Sequence, residues 1–180
     1  PKVRAWRELI AYRHALVVRR TAVCNTIRAL LARHAIPWPS ESRCWSQAAV
    51  AELRRMCGEV GQAWQLMLRE ELEQLVSVRG SIGRVEEELD RLAGRDDRVA
   101  LLRTIPGVGP RLAETIVAVI DDPKRFKSGK QVACYVGLTP RRFQSGSMDR
   151  QGRISREGHT LLRGLLVEVA WAGLRRNPWL

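Results

Sequence analysis

The chain has 180 residues and carries 31 Lys and Arg against 19 Asp and Glu, a formal net charge of +12. That length is enough for one core, or for a helical arm plus one compact domain. The excess charge favours nucleic acid as partner, because neutralising phosphates releases counterions and supplies most of the non-specific affinity. No apolar run approaches the roughly 18 residues of a membrane-spanning helix, and no charged-then-apolar leader opens the sequence. No membrane partner and a soluble, cytoplasmic location are therefore expected. Cys24, Cys44, Cys57 and Cys134 form no Cys-x-x-Cys pair, and His14, His34 and His159 lie at no ligand spacing from them. No metal site is expected from these residues, and the thiols read as buried or incidental. Residue 1 is Pro rather than Met, which suggests a fragment of a longer protein.

From Lys2 to about His34, Trp6, Ile10, Val17, Cys24, Ile27 and Leu31 recur at helical spacings, predicting one long amphipathic helix. Its polar side carries Arg4, Arg7, Arg13, Arg19, Arg20, Arg28 and Arg33, with Glu8 as the acid among them. Pro37 and Pro39 end it, and Ser40 is placed to cap the next helix. A short helix and turn are expected over 41–58. From Trp64, the positions Leu68, Glu71, Leu75, Val78, Ile82, Val85, Leu89 and Leu92 recur by fours and threes, as in a heptad seam with one polar member. Glu70, Glu71, Glu73, Glu86, Glu87 and Glu88 concentrate acid here. The segment is thus expected to pair with the basic first helix, either in cis as a helical hairpin or in trans as the arm of a homo-oligomer. Gly80 and Gly83 weaken the helix by about 1 kcal/mol each relative to Ala, and a bend is expected there. Gly94 to Asp97 marks a junction.

Beyond it, Leu102 to Val117 reads LRTIPGVGPRLAETIV, which resembles the helix-hairpin-helix motif of DNA-binding and repair proteins. Gly107 and Gly109 would let backbone N–H groups at the start of the second helix face a phosphate, with Arg111 beside them. Ala113 permits close helix packing. Asp121-Asp122-Pro123 stops that helix as turn and cap chemistry, and Ser128 is placed to cap a short helix from Gly129 to Tyr135.

Gly137 to Gly164, GLTPRRFQSGSMDRQGRISREGHTLLRG, gathers Arg141, Arg142, Arg150, Arg153, Arg156 and Arg163 against Asp149 and Glu157. It reads as a glycine-opened basic loop suited to phosphate, since guanidinium forks bind phosphate oxygens in pairs. Ser145, Ser147 and Ser155 supply hydroxyls, and Ser155 also suits the cap of a following turn. A serine attacking a phosphodiester must lose its proton and face a phosphorane that gains charge, which Arg141, Arg142, Arg150 and Arg153 are placed to stabilise. His159 is a candidate general base. Leu161, Leu162, Leu165, Leu166, Val169 and Ala170 then form an apolar helical stripe, joined by Trp171 and ended by Asn177-Pro178.

IPGVGPRLAETIVAVI, FKSGKQVACYVGLTP, the SGS loop, GRISREG and the following LLR occur in that order. Over roughly 99–175 they resemble the C-terminal transposase domain of the IS110 (also IS116) insertion-sequence recombinases. IRALLARHAI and the helices around it resemble that family's linker and coiled coil. The resemblance implies an oligomeric DNA recombinase guided by a structured bridge RNA, acting on double-stranded DNA in the prokaryotic nucleoid. It implies an N-terminal RuvC-like domain with a magnesium-binding acidic set, expected to be absent here, so that this chain alone would be inactive. It also implies a serine nucleophile, which falls at Ser145 with Ser147 as the alternative. The expected fold is mainly α: a helical linker and coiled-coil arm over 1–98, then a compact helical domain over 99–180. The competing function is a non-catalytic helix-hairpin-helix binding and oligomerisation module.

Overall fold

The structure, a computed structural model, describes residues 2–39, 45–56 and 61–174. In chain order it runs α1 (Lys2–Arg33), α2 (Gln47–Met56), α3 (Gln62–Ala93), α4 (Asp97–Leu102) and α5 (Pro110–Ile120). A 3-10 turn (Pro123–Arg125), α6 (Gly129–Val136), β1 (Pro140–Ser145), β2 (Met148–Ile154) and α7 (Thr160–Leu174) come after it. The fold is mainly α, as expected. The two strands form an antiparallel pair where the sequence reads as a loop. Two compact units divide the chain: Ala11–Glu88, and the first turns of α1 up to Ile10 together with the chain described from Leu89 onward. No helix among the described residues is long and apolar enough to cross a membrane.

The first unit is a helical arm. Val23, Cys24, Ile27, Leu30 and Leu31 of α1 recur at spacings of one, three and four residues, placing them on one face. They pack with Val50 and Leu53 of α2 and with Trp64, Leu68, Leu72 and Leu75 of α3. The Trp64 indole donates to the Leu30 carbonyl at 3.2 Å, and Arg13 pairs with Glu86 at 2.6 Å. Residue 30 near 64 and 13 near 86 makes α1 and α3 antiparallel, so the expected pairing occurs within the chain. Leu72, fully buried, occupies the seam where Glu71 was expected. The α3 helix continues through Gly80 and Gly83. Ile27, Leu53, Leu68, Leu72 and Leu75 are wholly buried, each worth about 1.5–3 kcal/mol of transfer energy.

The end of α1 is a backbone device. Ile36 N–H donates to the Leu31 carbonyl at 3.0 Å and Ala35 N–H to the Ala32 carbonyl at 3.2 Å, the two bonds of a Schellman cap. Ala35 holds the left-handed position at φ 51°, where glycine is usual. The prolines then forbid renewal of the helix. Ser40 and Gly58 lie outside the described residues, as does Cys44. The cap of α2 is Ser46, whose hydroxyl accepts the Ala49 N–H at 3.1 Å.

The second unit is built around α5, whose Leu112, Ala113, Val117, Ala118, Val119 and Ile120 are buried. Ala113 and Ala118 are fully enclosed, consistent with the close approach their small side chains allow. Leu112, Val119, Ile120, Val136 and Leu162 form the core, with Val108, Leu165, Leu166 and Val169 packed against it. The α7 stripe therefore packs on this core through Leu162, Leu165, Leu166 and Val169; Ala170, expected in the stripe, is exposed, and Trp171 is 68% exposed and does not join it. Its helical position directs it off the core-facing stripe. Asn177-Pro178 lies outside the described residues. Asp96 caps α4 by accepting the Arg98 N–H at 3.0 Å, and Asp122 caps the 3-10 turn by accepting the Lys124 N–H at 2.9 Å. Arg98 also holds Asp96 by its guanidinium, which lowers the carboxyl below its ordinary pKa.

Candidate nucleic-acid interface

The hairpin rises from a backbone-on-backbone stem. The α6 helix ends at Gly137 in the left-handed conformation, φ 80°. A Cβ there would collide with the Glu157 carbonyl oxygen; one on Gly158, φ 124°, would collide with the Tyr135 carbonyl. Only glycine permits both approaches. Ser155 N–H donates to the Thr139 carbonyl at 2.8 Å and Arg156 N–H to the Gly137 carbonyl at 3.2 Å, closing the stem. Arg163 braces it by donating to the Val136 carbonyl at 3.2 Å. At the start of α6, Ser128 stands at the cap position without a side-chain bond. Gln131 instead reaches back and accepts the Lys127 N–H at 2.7 Å, which ties down the residue before the cap position, and the expected Ser128 side-chain cap is not made.

Above the stem, Ser145 pairs with Met148, Gln144 with Asp149, Phe143 with Arg150 and Arg142 with Gln151. The two-residue turn is Gly146-Ser147. Gly146 has φ 57° and Ser147 is not among the positive-φ residues, the pattern of a type II′ turn that matches strand twist. A bulge lies between Pro140/Arg142 on β1 and Gln151/Ile154 on β2. Within it Phe143 reaches across Gly152, its Cε2 3.1 Å from where a Cβ would stand. Alternation along the strands puts Phe143, Ser145, Met148 and Arg150 on one face and Arg142, Gln144, Asp149 and Gln151 on the other. Arg141 to Arg150 are all exposed. Neither face of the hairpin tip is covered by the core.

The candidate site residues divide by what they touch. Ser145 ends β1, directly opposite Met148, and Arg150 stands diagonally about 7 Å away by sheet geometry. Ser147 occupies the turn. Arg142 grips Asp149 with both guanidinium edges, 3.0 and 2.5 Å; the pairing lowers the Asp149 pKa and raises that of Arg142. Arg141 donates to the Ser155 carbonyl at 3.2 Å and to Glu157 at 3.0 Å. Arg150, Arg153 and Arg156 make no ion pair among the described residues. Ser155 accepts the Glu157 N–H through its hydroxyl at 3.4 Å, the local turn anticipated for it.

His159 has a structural task. Its Nδ1 accepts the Leu162 N–H at 3.2 Å, capping α7. Partial burial, with the Arg7 guanidinium second, lowers its pKa below the ordinary histidine value. That lone pair is used by the helix, so Nδ1 is not free to take a proton from a serine.

The corner from α4 to α5 places Gly107 at φ 89° and Gly109 at the N-cap of α5, without a side-chain cap and with Pro110 next in the chain. Pro110 has no N–H, so the backbone donors of this helix start include those of Gly109 and Arg111, which make no backbone bond among the described residues. The Arg111 side chain is engaged elsewhere: it pairs with Asp90 and, at 3.3 Å, with the buried Glu114. Phe143 and Met148, 54% and 58% exposed, share the face of Ser145 and carried no sequence signal as site residues. Period-two alternation would have found them, but the run of arginines around them masks it.

Residues 99–180 match the family model described as Transposase IS116/IS110/IS902 family. Among curated proteins, a probable family 20 transposase of Pseudomonas aeruginosa is 32% identical, the alignment covering 93% of this chain and 52% of that protein. The transposase for insertion sequence element IS1111A of Coxiella burnetii is 29% identical over 93% of this chain and 46% of its own length. A pilin gene-inverting protein of Moraxella lacunata is 43% identical over 41% of this chain and 23% of its own. The chain thus spans about half the length of the first two relatives, 52% and 46%. The ordered motifs of α5, the hairpin and α7 all lie within the matched span, so that over residues 99–180 the chain is similar to the IS116/IS110/IS902 transposase family.

Proposed function

We propose that this chain is part of the DNA strand-transfer apparatus of an insertion-sequence transposase, with Ser145 as the nucleophile that its hairpin delivers to a phosphodiester. The carrying observation is the exposed ribbon on a rigid stem, with Ser145, Phe143, Met148 and Arg150 on one face. A two-stranded ribbon fits the major groove of duplex DNA. Phe143 and Met148 supply apolar contact, and Arg150 reaches a phosphate held near Ser145.

In the reaction, the Ser145 hydroxyl gives up its proton to a water molecule and Oγ attacks phosphorus. The phosphorus–oxygen bond to one DNA strand breaks, and the departing oxygen takes a proton back from water. Arg150, with Arg153 and Arg156 free of ion pairs among the described residues, offsets the charge that develops on the phosphoryl oxygens. Arg142, on the opposite face and held by Asp149, sets the ribbon's shape instead. The backbone N–H groups of Gly109 and Arg111, with Pro110 contributing none, offer a sequence-independent phosphate contact. The bridge RNA and the homo-oligomer expected of the family are partners in this proposal. In this proposal magnesium is held by a RuvC-like domain rather than by this chain's residues.

The test supplies the chain with a family RuvC-like domain and bridge RNA, adds labelled target DNA and magnesium, and looks for a denaturation-resistant protein–DNA adduct. An adduct lost in Ser145→Ala and kept in Ser147→Ala and Ser155→Ala supports the assignment. A DNA-bound complex that yields no adduct with any variant refutes the nucleophile and leaves a binding module.

A further inference from the structure

Far from the hairpin in sequence, the helical arm holds a cleft of about 360 Å³ lined by Arg20, Thr21, Asn25, Arg28, Trp45 and Arg79. Three arginines line it and no carboxylate does among the described residues. Arg28 donates to the Asn25 amide oxygen at 3.4 Å, and an anion entering the cleft would meet guanidinium charge from both α1 and α3.

The cleft is also arranged around one unusual residue. Trp45 adopts φ 66°, a conformation that bulky side chains rarely enter and that tends to be retained where it serves a site. Its carbonyl accepts a hydrogen bond from Arg79, and its ring lies under Arg28, the guanidinium carbon 5.3 Å from the centroid. Trp38 packs edge-on against the same ring at 4.5 Å. Two of the three arginines are therefore held in place by Trp45. Arg20 and Arg28 are exposed at the rim, beside the Thr21 hydroxyl and the Asn25 amide.

We propose that this cleft binds the phosphodiester backbone of a nucleic-acid strand, with Arg20 and Arg28 contacting phosphate oxygens. The proposal rests on the nucleic-acid reading of the chain but not on the hairpin or on Ser145. Guanidinium donors match phosphate oxygens in pairs; the Thr21 hydroxyl donates to the Val17 carbonyl and the Asn25 amide oxygen accepts from Arg28, which leaves the Asn25 amide N–H as the neutral donor of the cleft. RNA and DNA share this chemistry, so both are tested.

The full 180-residue chain is titrated by fluorescence anisotropy with labelled single-stranded RNA and single-stranded DNA of one sequence, across a salt series. Arg20→Gln and Arg20→Gln/Arg28→Gln are compared with Arg150→Gln/Arg153→Gln in the hairpin. Each arm substitution is expected to lower affinity about tenfold. The double arm variant should also flatten the slope of log K against log salt by about 1.4, near 0.7 per single-strand phosphate. Loss on both polymers, or on one, supports the site and identifies its source. Unchanged affinity and slope for both polymers overturns it, whatever the hairpin variant does. Arm-variant loss with an unaffected hairpin variant keeps this inference and removes the hairpin from nucleic-acid binding. Arg20 makes no side-chain bond among the described residues, so Arg20→Gln alone remains informative if the double variant unfolds.

Discussion

Gly137→Ala tests whether the stem, rather than the strands, holds the hairpin in place. Gly137 sits at φ 80° with the Glu157 backbone against its Cα. An alanine there incurs a left-handed cost of roughly 1 kcal/mol and a steric cost of about 1–3 kcal/mol, because backbone rather than a flexible side chain must yield. Moving the Glu157 segment also stretches the Ser155–Thr139 and Arg156–Gly137 backbone bonds. The total is about 2–4 kcal/mol, a large part of the roughly 5–15 kcal/mol that holds a domain folded. Gly146→Ala is the matched control: its φ is also positive, 57°, but nothing lies within 4 Å of an added Cβ, so only the conformational cost of about 1 kcal/mol remains. Urea denaturation of both variants gives the two numbers, and hydrogen exchange at residues 140–154 reports the hairpin. Equal losses in the two variants, or a Gly137→Ala loss under about 1 kcal/mol, would refute the backbone-contact argument.

Three further outcomes are expected. Ala35→Gly relieves the left-handed alanine in the α1 cap and should stabilise the chain by up to about 1 kcal/mol, read as a raised denaturation midpoint. Leu72→Ala opens a cavity in the fully buried seam of the arm and should cost about 2–5 kcal/mol; a cost near that of a surface change would place Leu72 outside the core. His159 should titrate below 6.5. Because its folded pKa is lowered, the cap contributes fully above the unfolded value and is lost as pH falls through the lowered folded value. An NMR titration that finds the ring protonating at or above the ordinary value would contradict the Nδ1 cap.

The helices are legible because burial in them follows a single period. The spacing of Cys24, Ile27 and Leu31, and of Trp64, Leu68 and Leu75, states which faces meet, and the acid on α3 indicates the basic helix as its partner. The seam position at Leu72 is misread by one residue because Glu71 and Leu72 each continue a three-or-four spacing, and only packing distinguishes them. The hairpin is hidden for a different reason. Strand prediction relies on one face being apolar and buried, whereas the tip of this ribbon is exposed on both faces and rich in arginine. Its one local signal is Ser145-Gly146-Ser147, a turn with glycine at the first central position. Arg111 illustrates the limit of composition: beside two glycines it reads as a phosphate ligand, yet its guanidinium meets Asp90 and Glu114, which are distant in sequence or hidden in the helix.

The exposed hairpin sets a constraint on any mechanism that uses it. A two-stranded ribbon alone is marginal in water, and here few apolar side chains are buried above the stem: Phe143, Met148 and Ile154 are 54%, 58% and 38% exposed. Its order comes from local contacts, namely the Arg142–Asp149 fork on one face, Phe143 laid over Gly152 on the other, and two glycines that lock the stem. These contacts leave the Ser145 face without a covering partner inside the domain. A nucleophile so placed in the proposed reaction would be surrounded by water, which would weaken the hold of Arg150 on a phosphoryl group. Exclusion of that water must come from a partner docked on the ribbon. Under the proposed reaction, therefore, duplex DNA itself or another subunit completes the low-dielectric wall, and serine reactivity should appear only in the assembled, DNA-bound complex.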